Sequence, residues 1–156
     1  MTLHSQRETV NIMTMIEELL NKPYWIIDIL PEQVPAYSPG QYGAVEQFYL
    51  KEPQKSHLLR SFLNIFLKLN CYVDIRVSCD FGESWEDNPI PDELEAIITK
   101  DDNSTVYVLF PESDTLASLD KGDTNMTVFN PGERLLNLFI KLAKSEGLFV
   151  WQPPQL

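Results

Sequence analysis

The residues of this chain equipped to do chemistry are few, and most of them are carboxylates. Asp80, Glu83, Glu86 and Asp87 lie close together in sequence, and hard divalent cations are held by several oxygen ligands gathered in this way. Their spacing is not that of a calcium loop, since neither this run nor Asp120 to Asp123 supplies the D-x-[DN]-x-[DN]-G order. With Glu93 they read better as solvated charge or as a surface that docks a cationic protein. Asp28 is a different case, because it interrupts the apolar run Tyr24 to Leu30 (YWIIDIL). A carboxylate placed among apolar side chains must be paired, hydrogen-bonded or protonated, and such perturbed acids are the raw material of active sites. General bases are scarce: of the two histidines, His4 falls in a polar terminus and His57 in the first turn of an expected helix. Histidine-assisted triads and histidine-rich zinc sites therefore have little support. Cys71 and Cys79 have no activating neighbour in sequence and read as small buried hydrophobes. No catalytic group, metal or cofactor is assigned on these grounds.

One motif stands out. Ser78, Asp80, Gly82, Ser84 and Trp85 fit S-x-D-x-G-x-[ST]-W, and the segment resembles a single copy of the Asp box of sialidase-type propellers. In that family the box is a hairpin turn remote from the catalytic centre, repeated over several blades. This chain has one copy and is too short for a propeller, so the resemblance implies a local turn fixed by Asp80, Gly82 and Trp85. The tripeptide Asp80-Phe81-Gly82 also spells a kinase signature, but neither a glycine-rich loop nor a catalytic-loop motif accompanies it.

Charge narrows the partners. The chain of 156 residues carries 12 Lys and Arg against 23 Asp and Glu, a net charge of -11. From Asp74 to Asp123 there are 14 acids and three bases, so this stretch alone carries -11 and the remainder is neutral. Nucleic acid and anionic membranes are poor partners for such a field, because phosphate backbones are bound by cationic footprints. A basic protein is the natural complement. Two cysteines are too few for a secreted disulfide scaffold. If Cys71 to Cys79 is one strand, their separation also forbids a bridge. The first twenty residues lack a basic region followed by an apolar core, and no apolar run is long enough to span a bilayer, so the expected location is cytoplasmic.

These side chains must be positioned by a single domain over 1–156, with residues 1–8 frayed. Apolar spacing predicts helices over about 10–21, after Pro53, from Pro91 and after Asn130-Pro131-Gly132. Gly147 is expected to close the last one. Strands are predicted at Tyr24 to Leu30, Cys71 to Cys79, Thr105 to Phe110 and Leu148 to Trp151, with a hairpin of Leu116 to Leu119 and Met126 to Phe129 turning on Gly122 with a positive φ. Ala44 to Leu50 fits helix or strand and is read as strand. Pro31 to Gly43 holds three prolines and two glycines, and a loop of that length is usually functional; Tyr37 and Tyr42 are its candidate anchors, although aromatics at this density more often belong to a core.

The fold expected is α+β, a mixed and largely antiparallel sheet of five to seven strands with three main helices packed on it. The function expected is that of a non-catalytic interaction protein offering Asp80, Glu83, Glu86, Asp87 and Glu93 to a basic protein. In size and charge it is similar to small acidic inhibitor or immunity proteins that neutralise basic nuclease toxins. The alternative is a small enzyme or metal-dependent hydrolase using Asp28 or the acids near Asp80, with the Pro31 to Gly43 loop as a lid. An enzyme needs a pocket with convergent polar groups, whereas an interaction protein needs exposed, contiguous acid.

Overall fold

The computed structural model describes residues 3–154, with side chains from residue 11 onward. The elements run α1 (Leu3–Leu19), β1 (Tyr24–Asp28), α2 (Tyr42–Tyr49), α3 (Gln54–Leu69), β2 (Arg76–Ser78), β3 (Glu86–Asp87), α4 (Pro91–Thr99), β4 (Thr105–Phe110), β5 (Thr115–Asp120), β6 (Met126–Phe129), α5 (Glu133–Ser145) and β7 (Phe149–Trp151). The seven strands form one sheet in the order β3-β2-β4-β5-β6-β1-β7. The expected α+β class holds, with every strand pairing antiparallel rather than mixed and, among the described residues, five α-helices where three main ones were expected.

Alternation along the strands sorts side chains between the two faces. Ile27, Val77, Val106, Val108, Ala117, Leu119, Met126 and Val128 join the main core, where Phe62, Phe66, Leu94, Ile98 and Phe139 of α3, α4 and α5 pack over them. Leu109 and Leu116 point the other way and meet Ile16 and Leu19 of α1. The α5 helix carries Glu133 in its first turn and Lys144 in its last, each on the favourable side of the helix dipole. It ends as expected at Gly147 (φ 73), with the Leu148 N–H donating to the Ala143 carbonyl at 2.8 Å.

Five expectations are corrected. The first helix begins at Leu3 rather than near residue 10, because neither proline nor glycine occurs before Pro23 to break it. Residues 3–8 are thus helical, while Met1 and Thr2, part of the stretch read as frayed, lie outside the described residues. Ala44 to Leu50 is helical, not extended: α2 takes it up, Val45 and Leu50 donating their N–H groups to Gln41 and Glu46 at 2.9 and 3.0 Å. Only Arg76–Ser78 of the stretch Cys71 to Cys79 is strand. The N–H groups of Cys71, Tyr72 and Val73 turn back onto the Lys68 and Leu69 carbonyls to finish α3, which leaves no extended backbone there. Ile75 and Val77 are buried as the alternation requires, but both cysteines are free and exposed rather than buried. Finally, Gly122 has no positive φ; its N–H is held by the Asp120 carboxylate at 2.9 Å, which makes the tight turn without a left-handed residue.

The strand order also sets which loops share an end. β1, β2 and β5 are separated by even numbers of antiparallel steps, so all three run the same way. The segments that follow them, leading to α2, to the Asp80 turn and to the turn between β5 and β6, emerge together at one end of the sheet. Glu112, Asp114 and Asp74 belong to the opposite end.

Candidate functional site

The turn joining β2 to β3 is built as its motif implies. The Asp80 carboxylate accepts hydrogen bonds from the Ser78 hydroxyl at 2.7 Å, from the Ser84 N–H at 3.0 Å and from the Ser84 hydroxyl. The Ser78 hydroxyl oxygen in turn accepts the Gly82 N–H at 2.9 Å, and Trp85 Nε1 donates to the Gly82 carbonyl at 3.0 Å. Phe81 and Gly82 both take positive φ, 57 and 87. A Cβ on Gly82 would lie 3.0 Å from Ile16 Cδ1 and 3.3 Å from the Trp85 ring, so this position requires glycine on two counts. The Ser84 hydroxyl and N–H, followed by Ser78, hold the Asp80 carboxyl below the usual carboxylate range. An Asp80→Ala substitution is expected to lower stability by about 1–2 kcal/mol at neutral pH. Because the folded-state pKa is depressed, that contribution is present above the unfolded carboxylate pKa and fades as acid protonates the group. Paired urea melts of wild type and variant at pH 7 and pH 3 would show the gap and its narrowing.

Beside this turn, α4 is set by sequence signals that are easily followed. Ile90 is extended, Pro91 opens the first turn, and Asp92 and Glu93 lie where the helix dipole favours anions. Leu94 and Ile98 are fully buried and fix the helix against the core, which turns Glu93, Ala96 and Ile97 toward β3. Between them lies a groove of about 480 Å³ lined by Val77, Cys79, Ser84, Trp85, Glu86, Glu93, Ala96 and Ile97. Its wall is mixed: Val77, Trp85, Ala96 and Ile97 supply apolar surface, and Glu86 and Glu93 supply two exposed carboxylates. Neither makes an ion pair within the described residues.

The five acids expected to bind a partner thus separate by role. Glu86 and Glu93 come together on one groove, and Glu83 stands exposed on the adjoining turn. Asp80 is occupied inside that turn. Asp87 is paired with Arg76 at 2.7 Å, and Arg76 in turn stacks over the Trp85 ring at 5.9 Å from its centroid. Of the 14 acids between Asp74 and Asp123, eleven are exposed and none is buried, but they do not share one face: the two ends of the sheet, the β3 edge and α4 each carry some.

Asp28 is 6% exposed. Its carboxylate accepts the Ile29 N–H at 2.7 Å and Trp151 Nε1–H at 3.3 Å, and burial pushes its pKa up against these bonds. Four strand spacings, about 19 Å, separate β1 from β2 in the sheet, so Asp28 and the Asp80 acids do not converge on one pocket. Among the described residues no group of three or more His, Cys, Asp or Glu is arranged to hold a metal, and no helix is long and apolar enough to cross a membrane. Tyr37 is 90% exposed and Tyr42 40%, so neither belongs to a core; the expected loop is also shorter than Pro31 to Gly43, because Tyr42 and Gly43 are the first residues of α2. Val34, Pro35 and Ala36, in the loop that holds Tyr37, form one wall of a groove against Trp151.

Sequence reasoning missed Lys121, which is 1% exposed. Its ammonium donates to the Ile97 carbonyl at 2.7 Å, to the Lys100 carbonyl at 3.3 Å and to Asp102 at 3.0 Å. It ties the end of α4 to the hairpin turn and so holds the helix that carries Glu93. Nothing distinguishes a buried lysine from a solvated one in the run Asp120-Lys121-Gly122-Asp123. No family model matches the chain, and searches of curated proteins and of solved structures found no match either.

Proposed function

We propose that this chain is a non-catalytic interaction protein that receives a basic protein partner at the groove between β3 and α4. The observation that carries the reading is the placement of Glu86 and Glu93, both exposed and neither in an ion pair among the described residues, on one groove with Val77, Trp85, Ala96 and Ile97 in its wall. A partner Lys or Arg would lay its alkyl stem on the apolar part of the wall and bring its charge to the two carboxylates, with Glu83 adding to the field at the turn. The surrounding excess of acid would speed encounter. Asp80 and Asp87 serve this surface indirectly, by fixing the turn and the position of Arg76.

The test is capture of partners on immobilised chain at low and moderate salt, comparing wild type with the triple variant Glu83→Lys, Glu86→Lys, Glu93→Lys. A basic protein retained by wild type at low salt and lost by the variant is the expected result. Retention unchanged by the triple reversal, or a retained partner of acidic composition, would overturn the reading.

A further inference from the structure

The helix α2 is left unburied by the rest of the chain. None of its residues is buried, although it is apolar: Tyr42, Val45 and Phe48 are 40%, 40% and 45% exposed. Spaced three apart, they share one side of the helix. No side chain caps its N-terminus, its first turn has no acid and its last no base. A helix of eight residues falls well short of the roughly 12–15 at which isolated helices become marginally stable in water. Short, apolar and exposed, it resembles half of a contact rather than a solvated surface.

Its surroundings say what the other half should be. Glu46 lies on the helix itself and accepts a hydrogen bond from the Tyr42 hydroxyl at 3.1 Å. The hairpin turn between β5 and β6 brings Asp120 and Asp123, both exposed, to the same end of the sheet. Burial, then the nearby charges of Asp120 and Glu46, raise the Asp123 carboxyl, and Tyr42 feels Glu46, Asp28 and Asp123. Glu46, Asp120 and Asp123 thus lie at one end of the sheet, on the segments that follow β1 and β5. The cations nearby among the described residues are engaged: Lys51 lies over the Phe48 ring at 5.4 Å, Lys55 is bonded to Asn103, Lys121 is buried with Asp102, and the exposed Lys100 lies 3.9 Å from the same Asp102 carboxylate. A second copy of a chain carrying -11, or an anionic lipid surface, would meet this rim with like charge.

We propose that the exposed face of α2 and its acidic rim dock an amphipathic basic segment of a partner protein, with apolar side chains on Tyr42, Val45 and Phe48 and cations toward Glu46, Asp120 and Asp123. This extends the reading of the chain as a receptor for a basic protein, and rests on residues separate from the β3 and α4 groove.

The test uses a synthetic helical peptide of about 14 residues, long enough to fold on contact, with Leu along one side and Lys along the other. It is titrated into the full chain and followed by amide chemical shifts. Shifts are expected in α2 and at 120–123. The double substitution Val45→Glu, Phe48→Glu should weaken binding about tenfold or more, and so should replacing the peptide's Leu by Ser or its Lys by Glu. Both substituted side chains are exposed, so the melting temperature should hold; if that variant does not fold, the near-isosteric pair Glu46→Gln, Asp123→Asn is to weaken binding instead. Glu86→Lys with Glu93→Lys should leave the peptide affinity within about twofold. Peptide shifts confined to the β3 and α4 groove would sink this proposal and spare the functional reading. Partner capture lost on substituting α2 but indifferent to the groove reversal would do the opposite. Binding of the Leu and Glu peptide as tightly as the Leu and Lys peptide would overturn the assignment. So would a wild-type dimer in sedimentation that the α2 substitution breaks, or α2-dependent binding to phosphatidylserine vesicles.

Discussion

Replacing Lys121 with Met is expected to lower stability by about 3 kcal/mol, the scale on which buried charge partners are lost. The wild-type ammonium is fully enclosed and has three acceptors, two carbonyls at the end of α4 and the Asp102 carboxylate. Methionine fills much of the same space but donates nothing, so the carbonyls at a helix C-terminus lose their partner. Asp102 keeps only its bonds from Ser104 and a looser contact with Lys100 at 3.9 Å. For a domain of this size the loss corresponds to a fall of about 6–12 °C in melting temperature, read by circular dichroism. Lys141→Met, at an exposed position of α5, should change stability by no more than about 0.5 kcal/mol. The pH dependence has a defined sign. Ser104 and then Lys121 hold the Asp102 carboxyl far below the usual carboxylate range. Its stabilisation is therefore present above the unfolded pKa and is lost as pH falls toward the folded value. Part of that depression comes from Lys121, so the variant's deficit should shrink as pH drops below about 4.

This lysine also shows where the sequence was legible and where it was not. Elements with a periodic apolar stripe were readable: Leu58, Leu59, Phe62, Leu63, Phe66 and Leu69 mark α3, and all of them are buried. Thr105–Phe110 forms β4 over the range expected, and the Asp80 turn was readable because its bonds are local, spanning Ser78 to Trp85. Segments whose conformation depends on distant groups were not. The pattern from Cys71 to Cys79 alternates, but the end of α3 claims its first residues, and Asn88 supplies the bond to the Ile75 N–H at 2.9 Å. Ala44 to Leu50 is rich in the aromatic and branched residues that favour strands, yet its backbone bonds close locally as a helix. The groove joins residues from β2, the following turn, β3 and α4, and only tertiary packing brings Glu86 to Glu93.

The second large effect concerns rate. Exchanging Glu83, Glu86 and Glu93 for Lys turns the flank of the groove from acidic to basic, and steering by such fields changes association rates by roughly 10–1,000-fold. At low salt the triple variant is expected to associate with the captured basic partner about ten- to a hundredfold more slowly in stopped flow. The two rates should converge toward 1 M salt, where the Debye length is about 3 Å. Folding should be preserved, since all three side chains are exposed. Glu93 adds a modest cost, because a lysine in the first turn of α4 opposes the helix dipole. Rates that differ equally at low and high salt would indicate a short-range contact rather than steering.

The central claim, that the face between β3 and α4 is where a partner sits, is tested most directly by carboxylate footprinting. Carbodiimide-driven amidation of free and partner-bound chain, read by peptide mass spectrometry, reports each exposed acid separately. Loss of labelling at Glu86 and Glu93 on binding, with Glu112 and Asp114 at the opposite end of the sheet labelled as before, is the predicted result. Unchanged labelling at Glu86 and Glu93 in a saturated complex, or protection centred on Glu112 and Asp114, would contradict it.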